Sequence, residues 1–160
     1  MNNKYNKLLK IIVLFTISFI IGYIIGLRSE EQSLNLENIN NLNGFISFFK
    51  ITIKNTIAFI LLFSSLILGE GIVYFFYVLN AYIIGLVMAK INSIISIIII
   101  LPHGILEMTF YILTGYLLLN YIDTSNPKYI KFTKLTYLGI LFAAAIESFI
   151  TPKLTLMLLS

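Results

Sequence analysis

Five stretches of this chain are apolar over a length comparable to a lipid bilayer, and no other feature limits the fold as strongly. The first, Leu8–Leu27, carries a single charge, Lys10. A hydrocarbon core about 30 Å thick takes about 20 helical residues. Four more runs follow, at about Thr56–Leu68 with the preceding turns, Ile72–Ala89, Pro102–Asn120 and Leu135–Thr151. Hydrocarbon offers no hydrogen-bond partners, so a spanning backbone must satisfy itself as a helix or as a closed barrel. Barrel strands would alternate apolar and polar residues, and these runs do not. Charged residues make up 11% of the chain, against about 25% in soluble domains, too few for a water-facing surface. The expected fold is all-α: one integral membrane domain over residues 1–160, a polytopic transmembrane bundle of about five spanning helices. A short amphipathic or re-entrant segment is expected to accompany it.

The lysines give the topology. Lys4, Lys7 and Lys10 flank the first span, and Lys128, Lys131 and Lys134 lead into the last. Lysine clusters beside spans favour the cytoplasmic side. The reading is a multi-pass protein of the cell membrane with its N-terminus in the cytoplasm. The acidic stretch with Glu30, Glu31 and Glu37 is then outside, and Lys50, Lys54 and Lys90 fall on that side as exceptions. The first run is long for a signal peptide and no small-x-small cleavage site follows it, so it reads as a retained helix. The lysines abut spans and form no nucleic-acid footprint. With no Trp, Tyr5, Tyr23, Tyr121, Tyr129 and Tyr137 are expected at the membrane boundaries.

Several local details are expected to interrupt the spans. Lys50 and Lys54, four apart and close to Phe45, Phe48 and Phe49, suggest an interfacial amphipathic helix before the second span. Gly69-Glu70-Gly71 suits a tight connection. Residues 94–101 are too short to cross alone. Pro102 disfavours helix in the residue before it and suits a first turn, so a re-entrant or kinked segment should end there. A basic loop Tyr121–Lys134 should turn at Asn126-Pro127, and Pro152 should end or bend the last helix.

The polar residues inside these spans are the candidates for function. A charge at the centre of a spanning helix costs about 2.5–3.5 kcal/mol on insertion scales, so such groups face protein or water. Glu70, His103, Glu107 and Glu147 are of this kind, with Asn55 and Asn80 as polar company. A helix starting at Pro102 puts His103 in its first turn, where the dipole favours a neutral imidazole. His103 and Glu107 then share one face. Ala143, Ala144 and Ala145 would let the last helix approach closely and bring Glu147 toward Glu107. Gly69, Gly85, Gly104, Gly115 and Gly139 read as close-packing positions.

No catalytic residue and no metal or cofactor site is expected. H-x-x-x-E is common, no H-E-x-x-H is present, and no thiolate is available. Ser64, Ser65 and Ser96 lack a G-x-S-x-G setting.

The stretch LPHGILEMTFYILTGYLL carries a more specific pattern. It resembles the signature of the stage II sporulation protein M family, integral membrane proteins of bacteria and archaea. The hallmark is Pro-His-Gly, then Glu three positions on, then a small residue eight further: Pro102, His103, Gly104, Glu107 and Gly115. Asn55 and Gly69 match the second span, Asn80 and Gly85 the third, and Ala143, Glu147, Thr151 and Pro152 the last. The resemblance covers about residues 45–153. It implies a multi-span bundle without known catalytic activity. In spore-forming bacteria the family member is a scaffold that recruits peptidoglycan hydrolases during engulfment. The expected function is a non-enzymatic scaffold or assembly factor that meets the bilayer, other membrane or envelope proteins, or its own copies. The alternative is a small transporter or channel component with His103, Glu107 and Glu147 along a polar path.

Overall fold

The computed structural model describes the backbone of residues 3–28, 44–90 and 94–153, and the side chains of 6–28, 44–90 and 104–153. The described elements are helices, with no strand among them. They are α1 (Asn3–Arg28), α2 (Gly44–Phe63), the short α3 (Ser65–Leu68), α4 (Gly71–Ala89), α5 (Ile94–Thr124) and α6 (Pro127–Ala145). A π-turn at Ile146–Ile150 carries α6 onward to Lys153. Five helical stretches are long and apolar enough to cross a membrane.

The helices are longer than the apolar runs that specify them. α1 has 26 residues, about 39 Å at 1.5 Å per residue. Backbone hydrogen bonding continues past the hydrocarbon edge, and lysines on the outer turns can reach to the surface. For this reason Tyr121–Lys134 is not a loop. α5 runs to Thr124 and α6 begins at Pro127, leaving Ser125 and Asn126 as the turn. Ser125 adopts a left-handed φ of 51°. The Asn126 side chain accepts a hydrogen bond from the Lys128 amide at 3.0 Å, and Pro127 takes the first helical position, where its missing N–H costs nothing.

Two expected interruptions are absent. Residues 45–54 form the first half of α2, continuous with the span, and not a separate amphipathic helix. Residues 94–101 are the opening turns of α5, helical on both sides of Pro102, and not a re-entrant segment. A proline inside a membrane helix removes one backbone donor, and neighbouring groups make up the loss. The second span does turn at Ser64, whose hydroxyl donates to the Leu61 carbonyl at 2.7 Å. Gly69 ends α3 with φ 91°, a conformation open to glycine and strained for other residues.

α1 and α4 run parallel in the most extensive helix contact of the protein. The seam is built from small residues. A Cβ on Gly22 would strike the Tyr82 carbonyl; one on Gly26 would come within 2.6 Å of the Ala89 Cβ; one on Gly85 would lie 2.7 Å from the Tyr23 amide. Gly22 and Gly26 form a G-x-x-x-G pattern, faced by Ala81, Gly85 and Ala89 at the same spacing. Lipid gives no hydrophobic drive for two apolar helices to associate, so close approach supplies the dispersion contacts instead. α5 and α6 form an antiparallel hairpin, and α2 packs along α6 and its π-turn. The core between them holds Leu62, Val73, Phe76, Tyr77, Tyr111, Leu118 and Ile140, all nearly inaccessible. Outward faces carry large apolar side chains such as Ile17, Ile57, Phe75 and Leu138, as lipid contact requires.

One ionic lock joins three elements at the lysine-rich end. The Lys7 side chain is only 12% exposed, and its ammonium meets Asp123 at 2.5 Å and lies 4.0 Å from Glu70. It also donates to the Leu119 carbonyl at 3.1 Å. The start of α1, the start of α4 and the end of α5 are therefore neighbours. Glu70, taken from the sequence as a group inside a span, instead sits at the head of α4 with half its side chain exposed.

Candidate functional site

α5 lays three residues of the sequence signature on one stripe, with Tyr111 between them. His103, Glu107, Tyr111 and Gly115 are successive i, i+4 neighbours, one helical turn apart. α5 begins at Ile94, not at Pro102. His103 therefore lies well inside the helix, and the first-turn dipole argument for its neutral form does not apply. The side chains of Pro102 and His103 lie outside those described.

From this stripe, hydrogen bonds reach two other helices. The Tyr77 hydroxyl of α4 donates to the Tyr111 carbonyl at 2.5 Å. The Tyr111 hydroxyl donates in turn to the Asn55 carbonyl of α2 at 3.1 Å. Gly115 is required here, because any Cβ would collide with the Tyr77 hydroxyl. Asn55 is 2% exposed, and its side-chain nitrogen has no hydrogen-bond partner among the described residues. Two hydroxyl pairs hold α6: Thr56 with Tyr137 at 2.8 Å, and Thr114 with Thr136 at 2.7 Å. Tyr137 is thus an interior cross-link, not a boundary tyrosine.

One turn before Tyr111, Glu107 interacts electrostatically with Glu147 of α6 and Lys54 of α2. Glu147 is carried by the π-turn, a widened turn that recurs at functional sites. Thr151 follows, its amide and hydroxyl both directed to the Ile146 carbonyl, five residues back. Pro152, expected to end or bend the helix, lies just beyond this turn, and the helix continues through it. Beside the hydrogen-bonded Tyr111 and Asn55, then, the charges of Glu107 on α5, Glu147 on the π-turn and the exposed Lys54 on α2 act on one another.

The structure does not draw every candidate into this group. Asn80 donates to the Phe76 carbonyl of its own helix at 2.8 Å. Among the described residues nothing stands where a Cβ on Gly104 would go, unlike a close-packing position. Gly69 likewise meets no described residue and serves a turn, whereas Gly85, Gly115 and Gly139 are closely packed. Among the described residues no three His, Asp or Glu side chains gather as metal ligands.

Sequence reasoning passes over Tyr77 and Tyr111, and gives Lys54 a different place. Tyr111 could have been found by extending the His103–Glu107 stripe one more turn. Lys54 was assigned to the interface, though it directly precedes Asn55. Nothing local marks Tyr77, whose role depends on which helix faces α4.

A family model described as Stage II sporulation protein M matches residues 11–152. No curated protein and no solved structure matches the chain.

Proposed function

We propose, on the premise that this chain belongs to the stage II sporulation protein M family, that it is a non-enzymatic scaffold or assembly factor of the cell membrane. Its substrate is not a small molecule but a partner, a membrane or envelope protein or a second copy of itself. The supporting observation is how the interior polar groups are used. Tyr77, Tyr111, Thr56, Tyr137, Thr114 and Thr136 make hydrogen bonds from one helix to another. Such bonds fix helix positions, which suits a platform whose surface must keep one shape.

In this reading the lysine-rich end faces the cytoplasm. Among the described residues, Lys7, Lys10, Lys128, Lys131 and Lys134 stand at that end against Glu70 and Asp123, an excess of positive charge. The chain has no cysteine, so single introduced cysteines report sidedness cleanly. Ser125→Cys should react with an impermeant thiol reagent only after the membrane is opened, and Lys153→Cys should react in intact cells.

Glu107→Gln tests the scaffold against a polar path for solutes. In the scaffold it lowers thermal stability and partner recovery from native membranes. Liposomes holding the protein then show the same solute and ion fluxes with either chain. A flux that depends on the protein and stops with Glu107→Gln overturns the scaffold in favour of transport.

A further inference from the structure

The lysine-rich end contains a cleft of about 320 Å³, lined by Asn6, Lys7, Lys10, Glu70, Tyr74 and Asp123. Its charges are unequally used. Lys7 and Asp123 face each other at 2.5 Å. Glu70 lies 4.0 Å from Lys7, beyond hydrogen-bond range, with its side chain 52% exposed. The Lys10 ammonium stands 4.4 Å from the centre of the Tyr74 ring, a contact that leaves N–H donors free. One opening therefore presents an acid with spare acceptors beside a base with spare donors.

The depth of this opening narrows the ligand. Glu70 precedes the 19-residue α4 without a side-chain capping bond, and Tyr74 lies one turn inside the helix, the level at which tyrosines meet lipid headgroups. Below Lys10 on α1, Val13 and Ile17 are each about half exposed at helical spacing, an apolar track leading away from the cleft.

We infer that this cleft is a binding site for an amino-phospholipid, a headgroup with a primary ammonium next to a phosphate. The ammonium donates to Glu70 and to the exposed side of Asp123; the phosphate accepts from Lys10 and Asn6; an acyl chain follows Val13 and Ile17. The alternatives fit the charges less well. An anionic glycerol headgroup would bring its phosphate to two carboxylates and leave Glu70 without a donor. A choline headgroup has no N–H to give Glu70.

The test uses the full chain, purified and stripped of lipid, with phosphatidylethanolamine, phosphatidylglycerol and phosphatidylcholine added in equal amounts. Retained lipid is counted by native mass spectrometry. Phosphatidylethanolamine should be retained about tenfold over the other two, the effect of one charge-assisted hydrogen bond. Glu70→Gln and Lys10→Gln should each remove most of that preference. Both sites are at the rim, and helical circular dichroism confirms folding. Equal retention of the three lipids overturns the site, as does a preference for phosphatidylglycerol or a preference intact in both variants. Free phosphoethanolamine separates the sources. Weak competition supports a lipid, and full displacement at equal concentration overturns the lipid assignment in favour of a soluble zwitterion.

Discussion

The two halves of this bundle hold their helices together by different means. The α1–α4 seam is made of Gly22, Gly26, Ala81, Gly85 and Ala89, where backbones touch. The α2–α5–α6 side, with Tyr77 of α4 reaching in, is made of aromatic rings and side-chain hydrogen bonds. Beyond the Lys7–Glu70 and Lys10–Tyr74 contacts at its lysine-rich end, the first depends on shape and tolerates no added atoms. The second depends on pairing, and each bond carries a modest share, about 0.6 kcal/mol on average in membrane proteins. The contrast has a chemical reason. Lipid tails compete poorly with a close backbone contact, and they cannot compete at all for a hydroxyl. A glycine and alanine seam suits a fixed frame, whereas the polar side holds the acids that the sequence signature marks.

Substitutions can break this contrast from either side. The largest effect should come from Gly85→Leu, which drives a side chain into the Phe19 and Tyr23 backbone of α1. Overpacking in a core costs about 1–3 kcal/mol, and a backbone obstacle puts this site at or above the upper end. Denaturant titration in detergent should show it, and Gly104→Leu, placed in open space, should leave the midpoint nearly unchanged. Equal effects from the two would mean that the seam is not close-packed.

Tyr111→Phe should come next. It removes the hydroxyl bond to Asn55 while keeping the ring, at about 1 kcal/mol. Its effect should fall on the polar side: a cross-link between cysteines placed on α2 and α5 should form less efficiently, with α1–α4 cross-linking unchanged. Thr114→Val should be the smallest, about 0.6 kcal/mol, since Thr136 keeps its own bond to the Thr133 carbonyl. A Thr114→Val effect larger than that of Tyr111→Phe would reverse the ranking and place the key bond between α5 and α6.

Much of the fold could be read along the chain. The five spans, the lysine flanks and the Asn126-Pro127 turn all follow from local rules. The G-x-x-x-G pattern at Gly22 and Gly26 was equally visible, and a search for small residues four apart would have found the seam. Pro102 misled because its local preference is to start a helix. In a bundle that preference is weaker than the need of each neighbouring peptide group to be hydrogen-bonded away from water. Glu147 was visible as an acid in a span, but its place on a π-turn was not, because the extra residue in that turn has no sequence signature.

The amino-acid order by itself determined that helices form and about how long they are, since rise per residue and bilayer thickness are local constraints. It also determined which residues share a stripe, such as His103, Glu107, Tyr111 and Gly115. Only the tertiary structure decided that α1 lies parallel to α4, that Lys7 closes onto Asp123, and that Lys54, Glu107 and Glu147 interact. Those facts depend on which surfaces fit at contact distance, and fit is a property of two helices together that neither helix encodes alone.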